Sequence, residues 1–207
     1  MPPLDDLHAI FDADRSLREA EARLLDRDPN QVADVLHRAV GEAIEMTDRA
    51  EATMRLERLA DLCAQVPGPA MADALLAILD DEAPSVRVAA GEALLDVAYE
   101  RYAEVARAVE RALDAEKHGT AMDELPYILA EVGEPSALPL IRRFLEHPDA
   151  DVIAAAIEAL AQLGDPAAIP ALERFADDER TVTFEEFEEE TTSTLGELAR
   201  DAIDLLS

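Results

Sequence analysis

The chain repeats itself, and that constrains its fold more than any other feature. The run LAEVGEPSALPLIRRFL from Leu129 to Leu145 overlays LAQLGDPAAIPALERFA from Leu160 to Ala176 without a gap, at an offset of about 31 residues. Gly133 falls on Gly164, Pro135 on Pro166, Pro139 on Pro170, Arg143 on Arg174 and Phe144 on Phe175. A second register places LDDEAPSVRVAAGEAL (Leu79–Leu94) on LEHPDADVIAAAIEAL (Leu145–Leu160), at about twice that offset. A unit of this length is a helical hairpin. It cannot bury its apolar face alone and must stack on its neighbours.

Turn residues divide the chain into about eleven helical segments. Pro29-Asn30, Pro67-Gly68-Pro69, Ala83-Pro84-Ser85, Gly119-Thr120, Gly133-Glu134-Pro135, His147-Pro148-Asp149 and Gly164-Asp165-Pro166 are the main breaks. Separate helices are expected over 86–99, 103–113, 121–132, 137–145, 151–163 and 167–176, with Ser85 as an N-cap. Val152, Ala156, Ala159, Leu160 and Leu163 form one apolar stripe. Gly164 is suited to the left-handed residue that closes a helix, and Pro166 to the start of the next.

The Gly-Asp-Pro-x-Ala-Ile-Pro-x-Leu run at 164–172, followed by an Ala-containing helical segment, resembles the short HEAT-like repeats first noted in phycobilisome lyases. The resemblance runs from about Ala70 to Leu206. Before that it is degenerate, although Leu25–Val32 echoes Leu145–Val152. It implies an all-α fold, a right-handed α-solenoid of stacked antiparallel helix pairs whose second helices line a concave binding surface. Residues 1–68 then read as an N-terminal helical cap with a degenerate repeat. Residues 69–207 read as four helix pairs, with an acidic insertion at about 177–193.

Composition narrows the partners. With 47 acidic and 18 basic side chains the formal charge is −29, and Lys117 is the sole lysine. Nucleic acid and anionic membranes would be repelled. DNA-repair enzymes built on similar repeats need a basic groove, which this composition lacks. The acidity fits either a high-salt cytoplasm, where self-repulsion is screened, or a dedicated basic partner. The lone cysteine, Cys63, permits no intrachain disulfide, and the first residues lack a signal-peptide pattern, so a cytoplasmic location is expected.

No catalytic constellation stands out. His8, His37, His118 and His147 share no repeat position and read as surface or turn residues. Asp12, Asp14 and Ser16 begin like a calcium loop, but Leu17 replaces the required glycine and Arg23 stands at the bidentate glutamate position. No metal and no cofactor are expected. The candidate binding residues lie off the apolar stripes of the second helices: Glu92, Asp96, Glu124, Glu131, Glu158, Gln162, Glu197 and Asp201. The insertion adds Phe184, Glu185, Glu186, Phe187 and Glu188, where a weak two-residue period suggests a short strand or extended loop. The leading function is a noncatalytic protein-interaction module or assembly scaffold that presents an acidic concave face to a basic protein surface. The alternatives are a chromophore lyase or lyase subunit, as the resemblance suggests, and a stoichiometric regulator or inhibitor of a basic protein.

Overall fold

The computed structural model describes residues 3–186 and 189–207. Its helices are α1 (Pro3–Leu25), α2 (Pro29–Ile44), α3 (Arg49–Gln65), α4 (Pro69–Leu79), α5 (Pro84–Asp114), α6 (Thr120–Val132), α7 (Ala137–Phe144), α8 (Ala150–Leu163), α9 (Ile169–Leu172) and α10 (Leu195–Leu206). Two strands, β1 (Thr181–Glu186) and β2 (Glu189–Thr194), pair antiparallel with Thr181 opposite Thr194 and Glu186 opposite Glu189.

Local chemistry places most boundaries. Asp28 accepts from the Asn30 and Gln31 amides ahead of α2, and Asp48 from the Glu51 amide in α3. Gly133 and Gly164, one repeat apart, end α6 and α8 with φ of 64° and 71°. A side chain at either position would pay the left-handed penalty.

The pairs stack in chain order. α2 and α3 pack together and both meet α4; α3 and α4 meet α5; α5 meets α6 and α7. Farther along, α6 and α7 pack on α8, and α8 and α9 on α10. This is an all-α solenoid carrying one β-hairpin, with a core that runs continuously from Val32 to Leu206.

Four local expectations change. The helices expected at 86–99 and 103–113 are one long α5, interrupted only at Arg101 (φ −138°, ψ 47°). Arg101 pins that kink: it donates to the Ala64 carbonyl at 2.7 Å and pairs with Glu104 at 3.3 Å. Ser85 is not an N-cap; Ala83 holds that position, Pro84 follows it, and Asp81 accepts the Ala83 amide at 2.9 Å. The helix expected over 167–176 is broken into a 3₁₀ turn (Pro166–Ala168), the single turn of α9 and a second 3₁₀ turn (Glu173–Phe175). Pro170, inside this stretch, has no amide to donate. Finally, α8 buries more than one stripe. Ile153, Ala154, Ala155 and Ile157 are buried along with Val152, Ala156, Ala159 and Leu160, because α6, α7 and α10 enclose the helix.

Candidate functional site

The second helix of each pair is α3, the part of α5 before Arg101, α6, α8 or α10, and these helices pack one upon the next. Glu92, Asp96, Glu124, Glu131, Gln162, Glu197 and Asp201 are exposed, and Glu158 is half-buried. The structure joins several of them across repeats. Gln162 Nε2 donates to Glu131 Oε2 at 3.3 Å, Tyr99 Oη donates to the Glu131 carbonyl at 3.4 Å, and Tyr127 Oη donates to Glu158. Burial, reinforced by the neighbouring Glu158, Glu124 and Asp123 carboxylates, raises the Tyr127 pKa, so its hydroxyl remains a donor. Glu92 and Asp96 line a depression of about 340 Å³ with Asp61, Gln65 and Arg58 of α3. Asp96 also borders a second depression with Tyr99, Glu100 and Arg101.

Two of the expected residues have other settings. Glu197 closes a capping box: its carboxylate accepts the Thr194 amide at 2.9 Å, and its own amide donates to Thr194 Oγ1 at 3.1 Å. Those bonds hold its carboxyl below the usual range. In the insertion, Phe184, Glu185 and Glu186 lie on β1, opposite Thr191, Glu190 and Glu189, whereas Phe187 and Glu188 lie outside the described residues. The hairpin is fixed at its base. Val182 is buried, the Leu195 amide donates to the Arg180 carbonyl at 2.9 Å, and Arg180 grips Asp178 at 2.7 Å.

Charge is distributed unequally between the two sides of the stack. On the first-helix side, three acids meet an arginine from the next repeat: Asp73 with Arg111 at 2.7 Å, Asp114 with Arg143 at 2.6 Å, and Glu146, just after α7, with Arg174 at 2.7 Å. The overlay of Arg143 on Arg174 thus reflects one structural role used twice. Exposed pairs of this kind are screened by solvent, so each adds little to stability by itself. On the second helices, none of Glu92, Asp96, Glu124, Glu131, Glu158 and Asp201 forms a salt bridge among the described residues. Arg87 and Arg200, which interrupt this face in sequence, donate instead to backbone carbonyls of Asp81, Glu82 and Ala176.

Sequence reasoning missed a cleft of about 620 Å³ where the turn Asp80–Glu82 meets Arg49, Lys117 and His118 over a floor of Leu76, Met122 and Leu125. One Arg49 nitrogen reaches both Asp81 oxygens at 2.8 Å. Burial opposes ionisation of Asp81, but Arg49 and the Ala83 amide outweigh it and hold the carboxyl below its ordinary range. His147 is buried rather than a surface residue. Its Nδ1 accepts the Asp149 amide at 3.2 Å, which leaves Nε2 to donate to the Lys117 carbonyl at 3.0 Å. His118 stands edge-on to it, 5.2 Å between ring centres. The only advance signal was spacing: Arg49 and Asp81 lie 32 residues apart, and Lys117 and His147 30 apart, each close to the repeat length. Burial pushes the Cys63 thiol up to about 12, so it remains protonated. Among the described residues, no cluster of three or more His, Cys, Asp or Glu has metal-binding geometry, and no helix is long and apolar enough to cross a membrane.

Residues 126–187 match the family described as HEAT repeats. No curated protein matches the chain. Among solved structures, the chain is similar to computationally designed armadillo repeat proteins for modular peptide recognition, at 15% identity over 94% of this chain and 93% of that one, with a TM-score of 0.38. It is also similar to a designed armadillo repeat protein in complex with the peptide (KR)4, at 17% identity over 91% and 98% of the two chains, with a TM-score of 0.39. An engineered protein is 16% identical over 90% and 96%, with a TM-score of 0.36.

Proposed function

We propose that this chain, a HEAT-like repeat protein, is a noncatalytic interaction module whose second helices receive a basic protein surface. One observation carries the reading: Asp73, Asp114 and Glu146 on the first-helix side pair with arginines of the next repeat, whereas Glu92, Asp96, Glu124, Glu131, Glu158 and Asp201 on the second helices form no salt bridge among the described residues. Unpaired carboxylates on a stiff surface attract cationic side chains without first breaking internal ion pairs. Tyr99 and Tyr127 lie among them and supply flat, amphipathic area of the kind that anchors interfaces. The repeat stack fixes the spacing between successive carboxylates, so the entropic cost of arranging them is met in folding.

The test uses an oligoarginine peptide titrated into the whole chain over a series of salt concentrations. Binding should weaken steeply as salt rises, and Glu131→Gln with Glu158→Gln should weaken it by about tenfold at low salt, on the order of 1.4 kcal/mol. Affinity unchanged in that double variant would overturn the assignment of the face.

A further inference from the structure

Tyr99 stands two residues before the kink in α5 and is 60% exposed, although it is aromatic. Its hydroxyl reaches across to α6 and donates to the Glu131 carbonyl at 3.4 Å, which tethers the ring. The ring walls a depression of about 570 Å³ that also includes Asp96, Glu100, Arg101, Ala64 and Gln65. Asp96 and Tyr99 are three residues apart on α5, so they are neighbours on the helix surface.

The charges in this depression do not cancel. Arg101 is its cation, and each of its three nitrogens already has a partner: the Ala64 carbonyl at 2.7 Å, Glu100 at 3.1 Å and Glu104 at 3.3 Å. Arg101 thus answers Glu100 and holds the kink. Asp96 forms no salt bridge among the described residues. What remains is one uncompensated carboxylate beside an exposed, tethered aromatic ring. An ammonium or a guanidinium would answer the carboxylate. Only the guanidinium is flat, more weakly hydrated and able to stack on the ring while its N–H groups donate sideways. The tether lowers the ordering cost of that stack. We infer that Tyr99 and Asp96 form an arginine subsite, in which a guanidinium of the basic partner stacks on the Tyr99 ring and donates to Asp96. The subsite rests on the second-helix reading proposed above and adds to it a preference for arginine over lysine.

Calorimetric titration of the whole chain at low salt, with an oligoarginine and an oligolysine of equal length, tests this. Oligoarginine should bind more tightly. Tyr99→Leu should weaken oligoarginine by about fivefold and oligolysine by less than about twofold. Tyr99→Phe keeps the ring and should keep most of the arginine preference, while Asp96→Asn should weaken both peptides. Tyr99 is exposed, so helix content and urea midpoint should match the parent in both Tyr99 variants. Salt-dependent binding of both peptides with no advantage for arginine, equal loss of both in Tyr99→Leu, or unchanged affinities in Asp96→Asn would each overturn the subsite while leaving the acidic face in place. Binding of neither peptide would overturn the face and the subsite together.

Discussion

Asp123 shows what accumulated acid does to a single side chain. Half-buried near the start of α6, it is desolvated and faces Asp149, Asp151, Glu124 and Asp80, and its carboxyl is pushed up to about 6. The ordinary value in an unfolded chain is about 3.9. A folded-state pKa above the unfolded one favours the protonated fold. Its contribution is complete below about pH 4 and is lost as pH rises through about 6. At neutral pH the charged side chain is therefore a strain on the fold, about 1 kcal/mol once its partial exposure to solvent is discounted. Asp123→Asn should raise the melting temperature at pH 7 by about 2–4 °C and flatten its fall between pH 4 and 7. Equal melting curves for parent and variant across that range would show that Asp123 titrates like an exposed aspartate.

The next scale is the helix pair. Leu160 is fully buried in α8, which packs against α6, α7 and α10. Leu160→Asp would place a carboxylate there without a partner, a change that costs more than about 4 kcal/mol. Amide exchange should show α6 to α10 losing protection while α2 to α4 keep it, since repeats depend mainly on their neighbours. Unaltered urea unfolding in this variant would mean that the helix register is misassigned. The pairs themselves were legible because the Gly-Asp-Pro punctuation and apolar spacing recur in sequence. What was not legible depends on neighbours distant along the chain. The enclosure of α8 on three sides leaves no mark in its own periodicity. The fusion of two expected helices into α5 turns on Arg101 finding the Ala64 carbonyl, 37 residues earlier. The exposed acids of the candidate face could be read from the sequence. Their lack of arginine partners could not, because it follows from Arg111, Arg143 and Arg174 all reaching toward the other side.

At the scale of the molecule, a formal charge of −29 makes the whole chain repel itself and attract any cation. A bulk effect differs from a local one: Asp73, Asp114 and Glu146 already have arginine partners within the protein, while Glu92, Asp96 and Glu131 form no salt bridge among the described residues and, under the proposed function, are neutralised by a basic partner. Calorimetric titration of an oligoarginine peptide into two variants of equal net charge distinguishes these most directly. One carries Glu92→Gln, Asp96→Asn and Glu131→Gln on the second helices; the other carries Asp73→Asn, Asp114→Asn and Glu146→Gln on the first. The account predicts that the first variant loses affinity by at least about tenfold while the second binds as tightly as the parent. Equal loss in both would mean that net charge alone attracts the peptide and that the second-helix face has no special part in binding.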